Sequence, residues 1–169
     1  MDSAHIRTRR LVPADADLFR QIRLEALQFN PEAFASTFEA ENALPLTWFS
    51  NRLSGSNVFG AFHDVALVGV AGLFIGEGQK ETHKGLLWGM YVRPGSRKAG
   101  VGRRLVETVI DFAVQQVELI QLSVITDNEG ARRLYASLGF VEYGIEKNAL
   151  KQGGRYYDEV LMAKDLNRD

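Results

Sequence analysis

The sequence predicts a mixed α/β fold, a sheet with antiparallel portions carrying helices on both faces. Three observations predict it. Residues 58–62 and 65–75 are apolar runs on either side of His63-Asp64, the pattern of a hairpin. An apolar run over 85–92, a helical stripe after Val101 and the alternation Ile120, Leu122, Val124 read as strand, helix, strand, which requires a parallel crossover. Residues 141–145 and 156–162, joined through Lys151-Gln152-Gly153-Gly154, read as a terminal antiparallel pair.

In chain order, residues 6–12 read as a first strand. Pro13 follows where a helix begins, because a first turn does not use the N–H that proline lacks. Leu18, Ile22, Ala26 and Phe29 recur at helical spacing until Asn30-Pro31 stops the run. Residues 31–41 are undecided, with Phe34 and Phe38 four apart. Thr47 is placed to cap a short helix carrying Trp48, Phe49 and Leu53, and Ser54-Gly55-Ser56-Asn57 ends it. After the hairpin, a Gly-rich turn over 76–80 leads into the 85–92 strand. Residues 94–99 are loop-like, and Leu105, Val109 and Phe112 then fall on one helical stripe. Residues 128–138 read as a further helix, closed by Gly139.

A chain of 169 residues is long enough to bury a core, and nothing in it reads as a linker, so residues 1–169 are expected to form a single domain. Lys and Arg total 20 against 21 acidic residues, which excludes the broad positive field of a general nucleic-acid or membrane-surface binder. The absence of cysteine excludes disulfides, thiolate metal sites and an acyl-cysteine intermediate. His5, His63 and His83 lack ligand spacing, so no metal is expected. Residues 1–10 are polar and basic, unlike a secretory signal, and the apolar run at 65–75 falls short of the ~18 residues of a membrane span. A cytoplasmic protein is the expectation.

The chemistry begins after Val92. A strand ends, a loop carries Arg93, Arg97 and Lys98, and a helix opens with Gly100 and Gly102. Helix N-termini offer unpaired N–H groups and partial positive charge, and glycines let backbone approach an anion closely. This is a site for phosphate or pyrophosphate. Gly95 and Gly100 match the glycines of a Walker loop, but Val101-Gly102 stands where Lys-Ser/Thr is needed. Gly100-Val101-Gly102-Arg103-Arg104-Leu105 keeps two Rossmann glycines, lacks the third and comes late in the chain.

Arg97-Lys98-Ala99-Gly100-Val101-Gly102, following Met90-Tyr91-Val92-Arg93-Pro94, resembles the pyrophosphate-binding motif of the GNAT superfamily of N-acetyltransferases. The stretch Asn128-Glu-Gly-Ala131-Arg-Arg-Leu134-Tyr135-Ala-Ser-Leu-Gly139-Phe140 matches the second motif of that family at every defining position. The resemblance implies a mostly antiparallel sheet of six to seven strands flanked by about four helices. It implies acetyl-CoA as co-substrate, with Met90, Tyr91, Val92, Arg97, Lys98, Ala99, Gly100, Val101, Gly102, Arg103, Asn128, Ala131 and Tyr135 as the residues that bind it. A backbone N–H within Met90-Tyr91-Val92 would hold the carbonyl oxygen, and Tyr135 would be the general acid. No motif marks the general base. Glu39, Glu41, Glu81 and His83 are candidates, with Glu41 or Glu39 preferred because the N-terminal helical segment of such folds overlies the acceptor site. Phe34, Phe38, Trp48 and Phe49 read as core, some of them available to line an acceptor pocket. The expected partner is a small-molecule or amino-acid-like amine, with a protein N-terminus or lysine, or a non-catalytic sensor of acetyl-CoA, as alternatives. A homodimer is implied by resemblance alone.

Overall fold

Strand-like alternation and helical stripes resolve into seven strands and five α-helices in the computed structural model, which describes residues 5–167. In chain order these are β1 (Ile6–Arg10), α1 (Ala16–Phe29), α2 (Phe38–Asn42), α3 (Leu46–Gly55), β2 (Asn57–His63), β3 (Ala66–Ile75), β4 (Lys84–Val92), α4 (Val101–Ala113), β5 (Leu119–Ile125), α5 (Glu129–Ser137), β6 (Val141–Gln152) and β7 (Arg155–Asp165). The first four residues of the polar N-terminal stretch lie outside the described residues. One sheet holds all seven strands in the order β1-β2-β3-β4-β5-β7-β6. Every neighbouring pair is antiparallel except β4 with β5. This is the expected mixed, mostly antiparallel sheet, with one helix more than expected. The addition is α2, inside the stretch left undecided, where the Thr37 hydroxyl accepts a hydrogen bond from the Ala40 N–H at 3.2 Å.

Alternation along the strands divides the core. Phe59, Ala61, Ala71 and Leu73 point to the face covered by Leu105, Val106 and Val109 of α4 and by Tyr135 of α5. Val58, Phe62 and Val70 point to the other face, under Phe19 and Ile22 of α1 and Phe49 and Leu53 of α3. Burying side chains such as Phe49 or Leu105 contributes about 1.5–3 kcal/mol each.

Several boundaries differ from expectation for local reasons. β1 stops at Arg10, and the Val12 N–H is taken by the Asp15 carboxylate at 2.8 Å, so a 3₁₀ turn over Pro13–Asp15 precedes α1. The buried stripe of α1 runs through Phe19, Ile22 and Ala26, leaving Leu18 and Phe29 exposed. Thr47 lies inside α3 and does not cap it; Pro45 holds the cap position without a side-chain bond. β6 continues past Ile145 to Gln152 through two irregularities against β7. It is one of the two edge strands, and Val141, Tyr143 and Ile145 stay exposed along it. No helix among the described residues is long and apolar enough to cross a membrane.

One departure from regularity shapes everything that follows. β4 pairs with β5 at only three positions, Lys84↔Leu119, Gly85↔Ile120 and Leu86↔Gln121. On its other side, Trp88 sits opposite Gly72 and Tyr91 opposite Val70, so β4 spends one extra residue there. Gly89, at φ 64°, takes the left-handed conformation that such a bulge needs. The bulge bends β4, and beyond Leu86 the sheet is open along a seam between β4 and β5.

Candidate active site

The open seam leaves the β5-facing edge of β4 without a partner strand from Leu87 onward. Backbone groups on that edge are free to meet a ligand instead of a ladder. Met90 and Val92 pack toward the α4 side of the sheet, whereas Trp88 and Tyr91 pack toward the α1 side. Tyr91 is buried, and its hydroxyl donates to the Glu25 carboxylate at 3.0 Å. Burial, with Glu25 adding to it, pushes that phenol up to about 12. Its side chain therefore braces α1 against β4.

At the end of β4 the chain turns through Pro94–Ser96 and enters α4. Gly100 is the N-cap, at φ 76°, with no side-chain capping bond. Lys98 is also left-handed, at φ 64°, which costs a residue with a Cβ about 1–2 kcal/mol. The N–H groups of Val101, Gly102 and Arg103 bond to no acceptor among the described residues. Open space surrounds the positions where Cβ atoms on Gly95 and Gly100 would stand. Orphan donors, a helix dipole and room above them suit a pyrophosphate.

The two glycines have different jobs. A Cβ on Gly102 would lie 3.3 Å from the Leu134 Cδ2 and 3.3 Å from the Met90 Cε. Gly102 therefore lets α4 sit close to both β4 and α5, and this packing is what a side chain there would disturb. Gly100 serves the backbone turn. Replacing Gly100 with valine is expected to weaken acetyl-CoA binding roughly 5- to 30-fold, the effect of 1–2 kcal/mol of left-handed strain. Equal affinity by calorimetry would remove the turn from the binding site.

The basic residues are tethered. Arg97 donates from Nε to the Val92 carbonyl at 2.8 Å and from its terminal nitrogen to Asn30 at 3.3 Å. Arg103 reaches Ser137 on α5 at 2.7 Å, with Glu107 at 3.6 Å. Arg93 is held by Glu25 at 2.9 Å and by the Leu67 carbonyl at 2.9 Å. These bonds hold the loop, α1, α4 and α5 together around the turn.

Asn128 caps α5, its Oδ1 accepting from the Ala131 N–H at 3.1 Å. The Tyr135 ring is buried against Phe140, with ring centroids 5.8 Å apart. Its hydroxyl forms no hydrogen bond within the described chain. Among the described residues no fully buried side-chain oxygen or nitrogen lacks a partner, so the Tyr135 hydroxyl is not fully buried and is open to a ligand. Burial raises its pKa and keeps it protonated. The two motifs, distant in sequence, thus meet physically: the first turn of α4 touches Met90 at the seam and Leu134, the residue beside Tyr135.

The profile described as the Acetyltransferase (GNAT) family matches residues 19–140, most of the chain. The chain belongs to the GNAT family of acetyltransferases. This GNAT chain is 31% identical over 140 residues to the N-alpha-acetyltransferase RimI of Mycobacterium tuberculosis, covering 79% of this chain and 83% of that protein. It is 35% identical over 161 residues to an uncharacterized protein of Mycobacterium leprae. That match covers 92% of this chain but spans only 39% of the relative's length. Among solved structures, the GNAT acetyltransferase from Streptococcus pneumoniae superposes with a TM-score of 0.85 at 21% identity, covering 95% of this chain and 99% of that one. The yncA protein from Salmonella typhimurium, solved with its cofactor acetyl-CoA, superposes with a TM-score of 0.80 at 21% identity, covering 97% and 95%. At such identities the two structures speak to the shared fold.

On the α1 side of the GNAT sheet, a cavity of about 610 Å³ lies over the open seam. Trp88 and Gly89 of β4 line it, as do Ser123 of β5 and Glu159 of β7, with Arg23, Glu41, Trp48 and Arg52 from the helices. Glu41, one of the two preferred bases, is committed elsewhere. It accepts from Arg23 Nε at 3.0 Å and from an Arg23 terminal nitrogen at 2.8 Å, with both side chains buried. Burial alone would raise the Glu41 carboxyl, but the Arg23 guanidinium outweighs it and holds it below the ordinary value. A carboxylate held ionised in this way is a weak proton acceptor, so the ion pair with Arg23 argues against Glu41 as the base. Glu39 is exposed and lines a neighbouring cavity of about 550 Å³ with Phe34, Phe38 and Lys151. Glu81 and His83 precede Lys84, at the far end of β4 and about 20 Å of strand from Met90.

Glu41→Ala is expected to destabilise the fold by about 3–5 kcal/mol, because it strands a buried guanidinium. The sign follows from the lowered carboxyl: this contribution is present above the unfolded glutamate value and is lost as pH falls through Glu41's depressed one. Denaturant midpoints measured between neutral and acid pH check both.

Sequence reasoning passed over Glu159. Burial raises its carboxyl, Glu146 across the β6–β7 ladder adds to the shift, and a hydrogen bond from Ser123 opposes it. The one sequence signal was a glutamate in a strand, one residue out of phase with the Tyr156 and Asp158 face. Asp158 itself turns to Lys147 at 2.8 Å and to the Asn148 N–H at 2.9 Å.

Proposed function

We propose that this chain is an N-acetyltransferase that moves an acetyl group to the primary amine of a small molecule. The observation that carries the reading is the open seam, with the glycine turn and Tyr135 on one side and a charged cavity on the other. Acetyl-CoA supplies the acetyl group as a thioester. The Val101, Gly102 and Arg103 N–H groups hold its pyrophosphate. A backbone N–H on the free edge of Met90-Tyr91-Val92 steadies the carbonyl oxygen, worth ~2.7–4 kcal/mol. Glu159 takes a proton from the acceptor ammonium, and the neutral nitrogen forms the new C–N bond as the C–S bond breaks. Tyr135 gives its hydroxyl proton to the departing sulfur from the opposite face of the sheet. The extra proton on the attacking nitrogen returns through solvent to the tyrosinate, leaving a neutral amide and free CoA thiol. Two faces let acceptor and coenzyme enter without competing for space.

The size of the cavity supports a small acceptor, since ligand pockets run roughly 300–1,000 Å³. Transfer to a protein N-terminus is the second reading. It is favoured by the likeness to RimI and by Phe34, Ala35, Ser36 and Leu150, which line both cavities and join them into a groove. A homodimer through the exposed β6 edge belongs to the same proposal. Thiol release by the full chain, measured across amino acids, polyamines, aminoglycosides and peptides, tests the function. Acetyl-CoA binding without thiol release from any of them would overturn it in favour of a sensor.

A further inference from the structure

The cavity over the seam contains four charged side chains, and two of them cancel. Arg23 and Glu41 form the buried pair described above. That pair uses Arg23 Nε and one terminal nitrogen. The other terminal nitrogen, NH1, makes no hydrogen bond within the described chain, and a Cβ at Gly89 would stand 3.6 Å from it. Arg23 thus presents spare donors beside the β4 bulge, where the cavity meets the seam.

Arg52 is half-buried and forms no hydrogen bond or close ion pair with a described residue, although Arg23 repels it and Glu41 attracts it at longer range. It is held by its flat faces: its guanidinium carbon lies 4.4 Å from the Trp88 ring centroid and 5.2 Å from that of Trp48. Stacking of this kind fixes the guanidinium plane while leaving the in-plane N–H donors unused. Glu159 is the counterpart on the opposite wall. It has a hydrogen bond from Ser123 and a like charge in Glu146, but no basic partner within ion-pair distance among the described residues. One small cavity therefore holds a clamped cation whose N–H donors have no hydrogen-bond partner and a carboxylate with no basic group in ion-pair distance among the described residues.

We propose that Arg52, assisted by the free edge of Arg23, binds a carboxylate on the acceptor, so that the substrate is a zwitterionic, amino-acid-like amine whose ammonium faces Glu159. The inference rests on the acetyltransferase reading and narrows it. A polyamine would bring a second cation to Arg52. A peptide N-terminus brings a neutral carbonyl where the cavity offers a full positive charge. Charge-assisted, bidentate bonds to a carboxylate are the strongest use of a guanidinium held in this way.

The test uses the full chain, acetyl-CoA and matched acceptors: free L-amino acids, the same amino acids as carboxamides, and short peptides beginning with them. Free acids should win in kcat/KM by roughly 10- to 100-fold, mostly through KM, the effect of losing a hydrogen bond to a charged group. Arg52→Gln should erase that preference, bringing kcat/KM for the free acids down to that for the carboxamides. Arg52→Lys, which keeps the charge and loses the stacking, should retain part of it, and circular dichroism should show both variants folded. Carboxamides or peptides used as well as free acids would overturn the inference and leave acetyl transfer standing, as would a preference unchanged in Arg52→Gln. Thiol release with no acceptor of any class would overturn both readings together.

Discussion

Replacing Tyr135 with phenylalanine is expected to slow turnover by about 10²–10⁴-fold while acetyl-CoA affinity stays unchanged. The change is selective because of how the residue sits. Its ring packs on Phe140 in the α4-side core, and phenylalanine keeps that packing. Its hydroxyl bonds to nothing within the described chain, so deleting it strands no partner and should leave the melting temperature alone. What is lost is a donor for the charge that develops on sulfur. Burial raises the phenol, so Tyr135 stays protonated well above neutral pH and should contribute no alkaline loss of activity below the ordinary tyrosine value. Pre-steady-state thiol release, beside calorimetry with acetyl-CoA, separates chemistry from binding. Wild-type turnover in the variant would remove Tyr135 from the mechanism.

The second large effect is expected at Glu159. Glu159→Gln should lower kcat/KM by about 10²–10⁴-fold near neutral pH, the usual contribution of a positioned base. The pH profile distinguishes a base from a prop. Glu159 must be ionised to accept a proton, and burial raises its carboxyl, so wild-type activity should rise with pH through a value above that of an ordinary glutamate. Burial is the largest cause; a hydrogen bond from Ser123 on β5 opposes it and the like charge of Glu146 on β6 adds to it, while Arg23, Arg52 and Glu41 line the same cavity. In the variant this acidic limb should vanish. Activity should recover as pH approaches the acceptor's own pKa, where the amine is already neutral. A variant equally impaired at all pH values would assign Glu159 a structural role.

These two residues also mark how far the sequence could be read. Tyr135 was legible because the motif that resembles the family's is local: Asn128 caps the helix, Tyr135 follows two turns later, and Gly139 follows its end. The glycine turn was legible for the same reason, although its two glycines divide their work differently than the pattern suggests. Gly100 takes a left-handed backbone, whereas Gly102 admits Leu134 and Met90. Glu159 carried no such signature. Neither did Glu41, whose helical segment lines the cavity over the seam and whose partner, Arg23, lies on another helix 18 residues away.

By itself, then, the sequence determined the order of elements, the mixed sheet and the residues proposed for the coenzyme turn and the general acid, because each depends on residues within a few turns or one strand of each other. Only the tertiary structure formed the cavity proposed for the acceptor. Gly89 bends β4 and opens the seam, and the packing of α1 and α3 across it brings Arg23, Arg52 and Glu159 around one cavity. Their charges find or lack partners through that packing, which no spacing along the chain records. The pKa of a carboxylate follows the same rule: Arg23 holds Glu41 down, while burial and Glu146 hold Glu159 up.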